Sequence, residues 1–114
     1  MLREEDRNRL QHMLDAANEA QCFVAGRHID ELATDRMLAF AVVRAIEIVG
    51  EAASKVSAEG RLAVPELPWP AIIGMRNRLI HAYFEIDYER VWITVTEDLP
   101  PLIEAIGEKL AGDH

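Results

Sequence analysis

The chain has 114 residues, half of them hydrophobic, and its 20 acidic against 12 basic side chains leave a net charge of −8. That length gives one domain, 1–114, with enough chain for one modest core. A single cysteine, Cys22, excludes an internal disulfide and a cysteine metal cluster, which suits a reducing cytoplasm. The longest apolar run, 37–43, stops at Arg44 and is far too short to span a bilayer. The charged opening Met1-Leu2-Arg3-Glu4-Glu5-Asp6 lacks the apolar stretch of a signal peptide.

Residues 3–23 carry Leu10, Met13, Leu14, Ala17 and Ala20 at helical spacing, with Arg3, Glu4, Arg7, Asp15 and Glu19 on the opposite face. Gly26 then fits a C-cap. Thr34 is the candidate N-cap of a second helix, with an earlier start at Asp30 as the alternative. From 35 to 57 the apolar positions are dense (Leu38, Ala41, Val42, Ala45, Val49, Ala52, Val56), and Met37, Phe40 and Val43 add a second apolar side. The first half of this helix is therefore expected to be buried nearly all round. Arg44, Glu47, Glu51 and Lys55 recur at intervals of three and four residues. The spacing predicts a row of solvated ion pairs; the alternative is that Glu47 or Arg44 orients the helix predicted over 70–83 from across a groove.

Residues 58–70 read as a loop, since Gly60, Pro65, Pro68 and Pro70 forbid a long helix. Pro68-Trp69-Pro70 can open the next helix, with Trp69 as a core anchor. That helix is predicted over 70–83. Asp87 is a fair N-cap for a further helix carrying Val91, Trp92, Val95 and Leu99. Pro100-Pro101 must end or kink it, and Leu102, Ile103, Ile106 and Leu110 form a last amphipathic segment. Four or five helices with short links fold most readily as an all-α up-and-down bundle.

The segment 74–83, Gly-Met-Arg-Asn-Arg-Leu-Ile-His-Ala-Tyr, concentrates polar chemistry. At about 100° per residue, Ile72, Met75, Leu79 and Ala82 fall on one stripe, and Arg76, Asn77, His81 and Tyr83 on the other side. Such a face suits a phosphate-bearing partner, because arginine forks onto phosphate oxygens and histidine can move a proton near neutral pH. Arg76 and His81 diverge by roughly 140° around a single α-helix, so they converge on one phosphate only if the helix end bends or a second subunit contributes. His12, His28 and His114 show no ligand spacing with His81, and no metal site is expected.

Arg76, four intervening residues, His81, Ala82 and Tyr83 resemble the Arg-x4-His-x-Tyr signature of the HepT-like ribonuclease toxins, a branch of the HEPN superfamily. Flanking blocks extend the likeness in the right order: Asp6-Arg7 with 12–17, 44–53, Pro68-Trp69 with 72–77, and Val91-Trp92 with 98–102. The resemblance implies a HEPN-like helical bundle that dimerises through its motif helices. It also implies an endoribonuclease toxin of a toxin–antitoxin pair, working without metal or other cofactor. Arg76 and His81 would be catalytic, with Asn77 in support. Tyr83 would accept AMP from a partner minimal nucleotidyltransferase antitoxin (MntA-like), which itself uses ATP and magnesium.

The net charge of −8 pulls against RNA binding, since nucleic-acid binders usually carry a basic face. Local focusing of Arg76 and Arg78, doubled in a symmetric dimer, would answer it. The alternative is a non-catalytic helical module that binds a nucleotide or a nucleotidyltransferase through the same face.

Overall fold

The computed structural model describes residues 1–80 and 85–113. The chain runs through α1 (Glu4–Val24), α2 (Asp30–Thr34), α3 (Arg36–Ser54), α4 (Ala58–Ala63) and α5 (Trp69–Ile73), then a single 3₁₀ turn at Met75–Arg78. After 81–84 come α6 (Tyr88–Ile93), a π-helical turn (Thr94–Asp98) and α7 (Leu99–Gly112) without a break between them. The fold is all-α, as the apolar spacing requires.

Side-chain bonds at the helix ends fix how the long elements run. The first turn of α1 meets the end of α3 through Asp6, which accepts from the Ser57 N–H at 2.8 Å and its hydroxyl at 2.5 Å. At the same end Asp113, just beyond α7, accepts from the Leu2 N–H at 3.1 Å and pairs with Arg7. Near the other end of α1, Gln21 donates to the carbonyl of Val95 in the π turn. α1 is thus antiparallel to both α3 and the α6–α7 run. Leu10, Met13, Ala17 and Ala20 of α1, Val42, Ile46, Val49 and Ala53 of α3, and Leu99, Leu102 and Ile106 of α7 fill the space between them, all essentially inaccessible.

Local chemistry explains the boundaries. Gly26 takes φ +73°, the left-handed conformation that ends α1. Asp35, not Thr34, caps α3, accepting from the Leu38 N–H at 3.1 Å, and Asp30 begins a separate short helix instead of α3. Asp87 caps α6 as expected, accepting from the Arg90 N–H at 3.0 Å. Pro100 and Pro101 sit in the first turn of α7, where their missing N–H groups are tolerated. The step into that turn is made by the Leu99 N–H, which donates to the Thr94 carbonyl one residue beyond the α-helical partner.

Three expectations are corrected. Residues 58–70 contain a short helix, because the Ser57 hydroxyl accepts from the Gly60 N–H at 3.1 Å and starts α4. The first half of α3 is not buried all round: Met37 is 84% exposed and Phe40 52%. Nor does one α-helix span 70–83. α5 stops at Ile73, Gly74 donates back to Pro70, and the backbone tightens into the 3₁₀ turn.

Candidate functional site

The 3₁₀ turn is anchored at both ends and open in the middle. Met75 and Leu79 are buried, whereas Arg76, Asn77 and Arg78 between them are exposed. Backbone bonds from Asn77 to Gly74 and from Leu79 to Arg76, each 3.1 Å, hold the turn closed. Upstream, Trp69 is 7% exposed, and its indole N–H donates to the carbonyls of Val64 at 3.1 Å and Arg61 at 3.2 Å. It is the core anchor that the sequence suggested, and it ties α5 to α4.

The turn sits over α3. Gly50 allows this approach: a Cβ there would lie 3.3 Å from the Ile72 carbonyl oxygen and 3.5 Å from that of Ile73. Between the two elements is a cleft of about 200 Å³ lined by Glu47, Gly50, Glu51, Ser54, Ile73, Arg76 and Asn77. Arg76 Nε lies 2.7 Å from Glu47 Oε2, with the arginine side chain 60% exposed and the glutamate 18%. Glu47 therefore crosses the groove to the motif segment, which corrects the expectation that it belongs to a solvated row on its own helix. Arg44 does follow that expectation, pairing with Glu51 at 3.1 Å with both side chains more than half exposed.

Arg78 turns away from the cleft and donates to the Ala71 carbonyl at 2.8 Å. It lines a second, more apolar groove of about 360 Å³ with Ala71, Met75, Glu97, Asp98 and Pro101. Arg76 and Arg78 thus face different hollows. His81 and Tyr83 lie outside the described residues, so the convergence of Arg76 with His81 and the surroundings of Tyr83 are not part of this geometry. Beyond the gap, Ile86 forms an isolated antiparallel bridge with Ile80, and the Asp87 N–H donates to the Leu79 carbonyl at 2.7 Å. Residues 79–80 and 86–87 are therefore held against one another. Among the described residues no group of three His, Cys, Asp or Glu side chains is placed to hold a metal ion. No described helix is long and apolar enough to cross a membrane.

Two residues of the flanking blocks serve the fold. Asp6 is 3% exposed and fastens α1 to the start of α4, and Arg7 pairs with Asp113. Asp113 lies below the usual carboxylate range: burial pushes it up, but the Leu2 N–H and the Arg7 charge together outweigh that. Asp35 is also held low, first by the Leu38 N–H it accepts and then by Arg27 at 2.8 Å.

Comparison with known proteins supplies the relationship. The profile of the ribonuclease HepT-like family matches residues 13–108. A Methanocaldococcus jannaschii protein named "Putative RNase" is 39% identical over 93 residues, which cover 82% of this chain and 85% of that one. A "Putative RNase" of Caldanaerobacter subterraneus subsp. tengcongensis is 35% identical over 101 residues, 89% of this chain and 90% of its own. A "Probable ribonuclease HepT" of Thermococcus cleftensis is 42% identical over 73 residues, 64% of this chain and 66% of its own. No solved structure gives a significant match. The match spans α1 from Met13, all of α3, the 3₁₀ turn and most of α7, and the chain belongs to the ribonuclease HepT-like family.

Proposed function

We propose that the chain is a cytoplasmic endoribonuclease toxin of a toxin–antitoxin pair, cutting RNA without metal at a cleft to which two copies of the chain contribute. The observation that carries this reading is the exposed guanidinium of Arg76 at the cleft on α3, beside Asn77, in a chain of this family. A guanidinium so placed can fork onto the nonbridging oxygens of a phosphodiester and stabilise the charge that develops at phosphorus.

In the reaction the ribose 2′-oxygen bonds to phosphorus and its proton passes to an imidazole. The bond from phosphorus to the 5′-oxygen breaks, and that oxygen takes a proton from a second imidazole. The products are a 2′,3′-cyclic phosphate and a 5′-hydroxyl. His81 is the imidazole in this scheme, one from each copy, and Asn77 holds the substrate phosphate or His81. Tyr83 is the acceptor of AMP from the partner nucleotidyltransferase; the added phosphate would bring negative charge and bulk to the RNA path and silence the enzyme.

Purified protein incubated with RNA and EDTA tests the activity. Cleavage should persist with the chelator. It should fall about 10²- to 10³-fold in Arg76→Ala and about 10²- to 10⁴-fold in His81→Ala. Mass spectrometry after incubation with the partner transferase, ATP and magnesium should place the adduct on Tyr83; an adduct on Tyr88 would overturn that assignment. The net charge of −8, with Arg76 already facing a carboxylate, favours a second reading as a non-catalytic nucleotide- or transferase-binding module. Intact RNA at high protein concentration would decide for it.

A further inference from the structure

The cleft holds two carboxylates that the proposed reaction does not use, and Glu47 is the one that meets Arg76. Glu47 rises from the middle of α3, its side chain 18% exposed and its neighbours Ile46, Val49 and Gly50 buried, so its position is fixed by the most deeply packed helix of the fold. Arg76 is the opposite case. It sits on a single 3₁₀ turn and is 60% exposed. A long side chain with four rotatable bonds in that setting would sweep the cleft mouth unless something held it.

The contact differs from a surface ion pair in two ways. Arg44 and Glu51, on the same helix, are each more than half exposed, and such a pair contributes little. Glu47 is largely withdrawn from water, so its carboxylate depends on the arginine it meets. The ion pair is also formed at Nε, 2.7 Å from the carboxylate. That leaves the Nη1–Nη2 edge, one of the two edges that fork onto paired oxygens.

We propose that Glu47 is a positioning residue for Arg76. Its carboxylate anchors the guanidinium at Nε and turns the Nη1–Nη2 edge into the cleft, toward two nonbridging oxygens of an RNA phosphodiester. This rests on the ribonuclease reading. The arrangement exchanges affinity for orientation: a carboxylate beside the phosphate site weakens electrostatic attraction to RNA, while it fixes the group that the transition state needs.

Steady-state cleavage of a short RNA, run with Glu47→Gln, Glu47→Ala and the distant charge-matched control Glu59→Gln, tests this. Glu47→Gln keeps an acceptor for Nε and removes the charge. Its kcat should stay within a few-fold of wild type while KM falls. Glu47→Ala should lose about 10- to 100-fold in kcat, the scale of a roughly 1 Å misplacement, without a rise in KM. Binding of a 2′-deoxy oligonucleotide, which lacks the attacking hydroxyl, should tighten in Glu47→Gln and not in Glu59→Gln. Equal kcat in all four proteins would overturn the proposal, as would parallel losses of kcat and thermal stability in both Glu47 variants. Wild-type protein that cuts no RNA would overturn the ribonuclease reading instead. The Arg76 Nε–H resonance would then still decide the anchoring: present in wild type and Glu47→Gln and lost in Glu47→Ala upholds it, unchanged in all three overturns it.

Discussion

Replacing Gly60 with alanine should destabilise the fold by about 2–4 kcal/mol, although alanine is the better helix former. A Cβ at this position would lie 2.7 Å from both Asp6 Cγ and Val56 Cγ1, and 2.8 Å from Asp6 Oδ2. Favourable contacts between carbon atoms lie near 3.5–4.0 Å, so something must move. Val56 and Asp6 are each 3% exposed and have little room. Asp6 is further held by the Ser57 N–H and hydroxyl, so its retreat sacrifices a charged hydrogen-bond pair that also starts α4. Overpacking costs about 1–3 kcal/mol and a hydrogen bond to a charged group about 1.5–3 kcal/mol, against about 1 kcal/mol gained in helix propensity. At about 4 °C per kcal/mol for a domain of this size, the melting temperature should fall by about 8–16 °C. Urea titration of wild type, Gly60→Ala and Gly107→Ala checks the sign. Gly107 lies in α7 with no heavy atom near its would-be Cβ, and alanine there should stabilise by up to about 1 kcal/mol. A neutral or stabilising Gly60→Ala would refute the reasoning.

Four further outcomes follow from the same geometry. Leu79→Ala should cost about 2–5 kcal/mol, because this fully buried side chain anchors the 3₁₀ turn; denaturant midpoints measure it. Gly50→Ala meets the Ile72 carbonyl at 3.3 Å, so it should move the melting temperature by only about 4 °C or less, yet reduce RNA cleavage by shifting α5 and Arg76 off Glu47. Asp35 is held below its unfolded value, near 3.9, so its stabilisation is complete above that value and lost as pH falls through the lower folded one. The stability difference between wild type and Asp35→Asn should therefore be constant above about pH 5 and shrink below about pH 4, as urea midpoints across pH will report. If two Arg76 and two Arg78 supply the phosphate contacts of a dimer, the slope of log affinity against log salt for single-stranded RNA should be no steeper than about −3. A steeper slope would reveal a basic surface elsewhere.

The long elements were legible because burial repeats locally. Leu10, Met13, Ala17 and Ala20 marked α1 by spacing alone, and all four are fully buried. The motif segment shows the limit of that signal. Ile72, Met75 and Leu79 were placed on one stripe by an α-helical reading, and all three are buried. Yet the backbone between them is an α turn followed by a 3₁₀ turn, since spacings of three and four residues serve both. Gly74 was the available hint of a helix end. Glu47 was harder to read: its periodicity with Arg44 and Glu51 is real, but its partner comes from a distant segment that only the packing of α5 on α3 brings near. α4 hid behind Gly60, which reads as a breaker until the closeness of Asp6 explains it.

An acidic chain that is to handle a polyanion, as proposed, has to separate its cations from its own carboxylates, and the structure does so unevenly. Arg3, Arg7, Arg27 and Arg44 are each paired with an acidic side chain that stabilises the fold or lies on its surface. Arg78 donates to a neutral carbonyl and faces the second groove, which Glu97 and Asp98 also line. Arg76 is half-way between, joined to Glu47 at one nitrogen and open to solvent over most of its surface. The cleft on α3 thus keeps an exposed guanidinium whose charge Glu47 offsets in part. Under the proposed reaction, discrimination between the ground state and the transition state would draw on the orientation of these few groups. In that reaction the largely withdrawn carboxylate of Glu47 behind an exposed arginine would be useful rather than harmful, and the α3–α5 spacing set by Gly50 would bear on the chemistry along with the arginine.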